Sequence, residues 1–285
     1  MSLGVLSMWR PLLAIRAKWL GWQGDRERLA GRFDRAERIL QRAVALAERA
    51  PRPDDILTAT LLNRLGIVHK YQGRFADGLR AYRRGLATVR RPLGPDHPLV
   101  ATFYHNLGGL EHARGRHARG EPYARRALAI RERALGADHP DVARDIAALA
   151  GILDGLGRHA EAKVLHRQAL EVFERRLGSE HRDIASALSN LAACCHAMGR
   201  TAEAEPLARR ALAMKQKLLG ATHPDVGLTL ANLAVIQKSQ GRLFEADWCC
   251  RQALAILDER LGSAHPNAVT CRANYTKLRS LPLSG

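Results

Sequence analysis

The chain has 285 residues, 46% hydrophobic and 26% charged, with 45 Lys and Arg against 28 Asp and Glu for a net charge of +17. That composition excludes wholesale disorder, and no run of 18 or more uncharged apolar residues offers a membrane span. The positive balance suits an anionic partner and says nothing of fold; residues 1–92 hold 19 Lys and Arg against 8 Asp and Glu, the remainder 26 against 20.

The first 22 residues, MSLGVLSMWRPLLAIRAKWLGW, carry Trp9, Trp19 and Trp22 with Arg10, Arg16 and Lys18. A helix of this kind can lie in a membrane interface or act as a targeting segment, although no small-residue cleavage site is clear. The favoured reading is a cap whose Trp and Leu side chains cover the open end of a helical stack. Residues 1–50 are therefore assigned to this cap and a degenerate first repeat, of which the helix Phe33 to Ala47 is clear.

From there the chain is periodic. Gly31-Arg32, Gly73-Arg74, Gly115-Arg116, Gly157-Arg158, Gly199-Arg200 and Gly241-Arg242 follow one another at steps of 42 residues, and the Leu-Gly glycines Gly94, Gly136, Gly178, Gly220 and Gly262 keep the same step. A fixed period of this length marks an array in which each unit needs its neighbours to bury its apolar face. The array is assigned to residues 51–280, with a tail at 281–285.

Each period predicts two helices. Val142, Ile146, Leu149, Ala150 and Leu153 recur at helical spacing before Gly157, and Ala162, Leu165, Ala169, Leu170 and Phe173 do so before Gly178. The Leu-Gly glycine is expected to end the second helix in a left-handed conformation, and the His-Pro proline to open the next. The polar residue before each His (Asp96, Asp138, Glu180, Thr222) is available near the N-terminal cap. Two units depart from the pattern: His181 is followed by Arg182, and PRPDD stands where His-Pro would begin the unit at 51–92.

Two antiparallel helices per unit, the Gly-Arg turn, and the strings EPYARRALAI (Glu121 to Ile130) and EPLARRALAM (Glu205 to Met214) resemble the tetratricopeptide repeat. The 42-residue step with LGxxHPxVA and an Asn-Leu-Ala core is similar to the subclass found in kinesin light chains and many bacterial repeat proteins. The resemblance implies an all-α, right-handed solenoid of about six helix-turn-helix repeats with a C-terminal capping helix near 266–279. It further implies a concave groove lined by first helices and a non-enzymatic protein-binding adaptor.

On each first helix one face is small or polar: Thr102, Asn106, Gly109, Ala113; Arg144, Ala148, Gly151, Gly155; Ser186, Asn190, Ala193, Ala197; Leu228, Asn232, Val235, Ser239. Leu107, Leu149, Leu191 and Leu233 occupy the neighbouring stripe, so the small face is expected to be open. Asn is a poor mid-helix residue, and its recurrence at Asn106, Asn190, Asn232 and Asn274 suggests amides that grip the main chain of an extended peptide. The competing explanation is a structural ladder between repeats. Arg64 and Arg144 are candidates for recognising an acidic peptide, with Lys70 nearby.

No catalytic residue, metal ligand or cofactor is assigned. The histidines His97, His139, His181, His223 and His265 fall one per unit, about 20 Å apart for packed helix pairs, too far to share a zinc. No H-E-x-x-H, G-x-S-x-G, P-loop or G-x-G-x-x-G is present. The adjacent cysteines Cys194-Cys195 and Cys249-Cys250 suit buried thiols in a reduced, cytoplasmic setting. A basic solenoid binding nucleic acid or an anionic membrane surface is the alternative function; 5% aromatic content provides few stacking platforms for single strands. Peripheral membrane contact through residues 1–22 and self-association remain open.

Overall fold

The computed structural model describes residues 10–50 and 54–280. Trp9, residues 51–53 and the tail at 281–285 lie outside the described residues. Among the described residues every regular element is an α-helix, and two compact units divide between Ala134 and Leu135. The first unit holds α1 (Arg10–Leu29), α2 (Phe33–Glu48), α3 (Asp55–Tyr71), α4 (Phe75–Leu93), α5 (Pro98–Ala113) and α6 (His117–Leu135, its last residue at the division). The second holds α7 (Pro140–Gly155), α8 (His159–Leu177), α9 (Arg182–Ala197), α10 (Thr201–Leu219), α11 (Pro224–Ser239), α12 (Leu243–Leu261) and α13 (Pro266–Arg279). Within each unit the helices pack in sequence, and first helices also touch: α1 with α3, α3 with α5, α7 with α9, α9 with α11, and α11 with α13.

The short turn inside each repeat is set by its glycine. Gly73 has a φ of +72°; its N–H donates to Lys70 O at 3.1 Å, and the Arg74 N–H donates to His69 O at 2.8 Å. That pair of bonds is a Schellman end, which favours glycine because a Cβ is disfavoured at positive φ. The same pair recurs at the other five Gly-Arg turns.

The longer connections correct the sequence expectation. Gly94 has φ 77° and ψ 170°, and Gly178 has φ 81° and ψ −168°. This is the extended positive-φ region essentially reserved for glycine, not the left-handed helical one. The chain needs an extended exit here to reach the next helix start.

The N-terminal cap is also different from the expectation. Nδ1 of His97, His139, His181, His223 and His265 accepts the backbone N–H two residues on, at 3.0, 3.1, 3.2, 3.1 and 3.1 Å. The imidazole itself satisfies a free N–H of the helix start, a role it can fill only with Nδ1 unprotonated. Asp54 caps α3 instead, its Oδ1 accepting from Leu57 N at 2.9 Å. The residues that precede the histidines point elsewhere. Asp96 accepts from Arg133 at 2.8 Å, Glu180 accepts from Lys217 at 2.6 Å, and Thr222 accepts from Arg260 at 2.7 Å; Asp138 pairs with Arg175 and Arg176. Each contact ties the start of a repeat to the end of its own second helix.

The cores of the two units are filled differently. In the first, the rings of Tyr82 and Phe103 are fully buried over Gly66 and Gly85. A Cβ at either glycine would sit 2.4 Å from the facing ring. In the second unit those glycine columns read Ala150, Ala192 and Ala234, and Ala169, Ala211 and Ala253, all buried, and the core there includes the ring of Phe173.

On α1 it is Ala17, Leu20, Gly21 and Gly24 that turn inward, the glycines sitting close against Leu61 and Leu40. Trp19 and Trp22 are 55% and 56% exposed. The expectation that tryptophans cover the end of the stack is corrected for these two: bulky indoles cannot enter a seam built for glycine. No helix among the described residues is long and apolar enough to cross a membrane.

Candidate peptide-binding face

In the second unit the small face of the first helices is open. None of Arg144, Ala148, Gly151, Gly155, Ser186, Asn190, Ala193, Ala197, Leu228, Asn232, Val235 or Ser239 is buried, whereas Leu149, Leu191 and Leu233 one stripe away are. Helical periodicity explains the split: residues four and seven apart share a face, and the leucines on the adjoining stripe fill the core.

Asn190 and Asn232 are exposed in the middle of α9 and α11, and neither amide has a hydrogen-bond partner among the described residues. Asn274, half-buried on α13, has none either. Each therefore retains a carbonyl acceptor and an NH2 donor, the combination that can bond both the N–H and the C=O of an extended chain.

Arg144 is not free to meet a ligand charge. Its Nε and Nη2 lie 2.7 and 2.6 Å from Asp183 Oδ2, and it also pairs with Asp141. Burial works to lower the pKa of this guanidinium, but the two aspartates outweigh it and hold the pKa raised. Asp141, Asp183 and Asp225 lie in the first turns of α7, α9 and α11, where a carboxylate is favoured by the helix dipole.

The first unit treats the same position otherwise. Asn106 on α5 is half-buried and donates its amide to Asn63 Oδ1 on α3 at 2.6 Å. That is the structural-ladder explanation, with a side chain as partner. Asn63 lies 43 residues before Asn106, one off the repeat, so a search at the 42-residue step passes over it. Arg64, half-buried on α3, carries no ion pair among the described residues.

One other polar cluster sits at the turn between α7 and α8. Asp154 lies 3.0 Å from both His159 Nδ1 and His166 Nε2. Burial raises its pKa, but hydrogen bonds from His166, His159 and Cys194 more than offset this and hold the carboxyl below its usual range. Burial, then the nearby Asp154 carboxylate, push the Cys194 thiol up to about 12, so it stays protonated and is a poor nucleophile. All five cysteines are buried and unpaired, and the described residues contain no group of three His, Cys, Asp or Glu that could hold a metal ion.

Stacked helix pairs with Schellman turns, histidine-capped first helices and an open small-residue face define an α-helical repeat protein. The tetratricopeptide repeat profile matches residues 16–91, 58–118, 99–175, 146–217 and 183–247, and the chain belongs to that family. No match is found among curated proteins. Among solved structures the chain is similar to BtubC (BKLC) from P. vanneervenii, at 26% identity and a TM-score of 0.60 over 81% of this chain and 92% of that one. It is also similar to the nearly identical TPR-like repeats of a Podosopora anserina protein named for kinesin light chain, at 23% identity and a TM-score of 0.51 over 70% and 94%. A Rap protein complexed with Competence and Sporulation Factor matches at 13% identity and a TM-score of 0.66 over 93% and 75%. The last two likenesses concern the fold alone.

Proposed function

We propose that the chain is a non-enzymatic protein-interaction scaffold whose second unit binds an extended peptide segment along α9 and α11. The observation that carries this reading is the pair of exposed, unpartnered amides, Asn190 and Asn232, in mid-helix positions where Asn costs helix stability. The two amides clamp the ligand main chain, and the surrounding Ala193, Ala197 and Val235 leave room for its side chains. The Rap protein of similar fold, complexed with Competence and Sporulation Factor, agrees with a binding role for this architecture.

Recognition of an acidic group is a separate reading confined to the first unit, where Arg64 carries no ion pair among the described residues. Arg144, already set between Asp141 and Asp183, adds little to that preference.

The test is selection of peptides from a display library on the full chain, followed by titration of the best binder. Asn190→Ala/Asn232→Ala is expected to weaken it about tenfold or more, as loss of two hydrogen bonds worth about 0.5–1.5 kcal/mol each predicts, with unchanged helicity. Unchanged affinity in a folded variant overturns the amide clamp. Retention of nucleic acid alone, with steep salt dependence and no peptide, supports the basic-solenoid alternative.

A further inference from the structure

The outer face of α1 has no role in the groove. Leu12, Ile15, Trp19 and Trp22 recur at intervals of three and four residues and are 48%, 62%, 55% and 56% exposed. They form one apolar ridge on the side of the helix opposite Ala17, Leu20, Gly21 and Gly24. Exposed Arg16, Lys18 and Arg26 accompany it, and among the described residues none of the three has a carboxylate within ion-pair distance. The helix's two acids are already engaged, Asp25 with Arg28 and Glu27 with Arg32. The Arg26 guanidinium lies 5.6 Å from the Trp22 ring centroid, a cation and an indole presented together.

An occupant of this face must therefore cover apolar side chains and meet uncompensated positive charge. Two half-exposed indoles of about 150–250 Å² each, with the smaller Leu12 and Ile15, present no more than roughly 400 Å², well below the ~800 Å² per partner of a stable protein interface. A convex ridge on a single helix also offers no pocket for a partner's anchor residue. A lipid surface needs no pocket: indoles settle at the headgroup level, the apolar ridge enters the acyl boundary, and Lys and Arg meet the phosphates.

We propose that α1 docks on an anionic lipid bilayer through Leu12, Ile15, Trp19 and Trp22, with Arg16, Lys18 and Arg26 on the headgroup phosphates. The surface belongs to α1 of the first unit and shares no residue with the amides of α9 and α11 in the second.

The full-length protein is to be mixed with phosphatidylcholine vesicles with and without phosphatidylglycerol, and followed by cosedimentation and tryptophan emission. Binding and a blue shift are expected only with phosphatidylglycerol. Trp19→Ser/Trp22→Ser and, separately, Arg16→Gln/Lys18→Gln are each expected to weaken binding about tenfold or more, with helicity and groove-peptide affinity unchanged. Absence of cosedimentation with either vesicle overturns the proposal. So does a blue shift that follows protein concentration without lipid and disappears in the tryptophan variant, which identifies a second copy as the occupant. Loss of peptide binding in Asn190→Ala/Asn232→Ala bears only on the groove and leaves this result independent.

Discussion

The two units use one 42-residue pattern to build unlike interiors. The first unit sets large rings against glycines, Tyr82 on Gly66 and Phe103 on Gly85, and commits the Asn106 NH2 to a bond with Asn63. The second fills the same columns mostly with small and mid-sized side chains and leaves Asn190 and Asn232 without partners among the described residues. The difference teaches that the recurring Asn has no fixed role. Where its neighbour on the preceding first helix is Asn63, the amide is a strut; where the corresponding residues are Ala147 and Ser189, it faces outward.

The interiors should respond most strongly to mutation. Tyr82→Ala is expected to lower unfolding free energy by about 3–5 kcal/mol, and Gly66→Ala alone by about 1–3 kcal/mol through overpacking. Combined, they should cost less than their sum, since the added methyl enters the vacated space. Additive urea-unfolding values would break the idea that ring and glycine are matched.

A smaller contrast concerns the amides. Asn106→Ala should cost about 1 kcal/mol of stability, whereas Asn190→Ala should cost none and can gain slightly from helix propensity. Equal losses on thermal unfolding would erase the distinction between the bonded amide and the exposed one.

Two pH effects are expected below these in size. Burial lowers the pKa of His223 from the ordinary 6.5, so its cap contribution is present above pH 6.5 and is lost as pH falls toward the folded value. His223→Asn should retain a cap and flatten the dependence, read as Tm against pH. At lower pH, the hydrogen bond from Arg242 holds Glu205 down to about 2 from an ordinary 4.5. Its contribution is present above 4.5 and disappears as pH falls through about 2. Glu37, the matching residue in the first unit, is raised by burial but brought below its usual range by bonds from Gln72, Arg74 and His69. Glu205→Gln should therefore remove a slice of acid sensitivity, and Glu37→Gln, which removes a carboxyl also held below its usual range, should remove one of the same sign, both read as Tm against pH.

Helix pairs, their boundaries and the open face could be read from the sequence because all depend on spacing that repeats. The capping histidines were visible as a column, yet their function depends on the backbone delivering an N–H to Nδ1, and Asp96 or Glu180 looked the better cap by residue type alone. The extended ψ of Gly94 and Gly178 was hidden because glycine accepts either positive-φ region. Asn63 escaped because it sits one residue off the step. Ion pairing of Arg144 was equally illegible: Asp183 is 39 residues away and becomes its partner only when α7 and α9 lie side by side.

The contact between the start of a repeat and the end of its second helix, as in Glu180 with Lys217, is closed between residues of one period. Duplicating or excising one whole period inside the second unit would leave every surviving clasp with both halves, while adding part of a period between the two residues of a clasp would shift one half against the other. The array is thus a chain that can be lengthened or shortened by counting, and an insertion of 42 residues is a milder edit than an insertion of one.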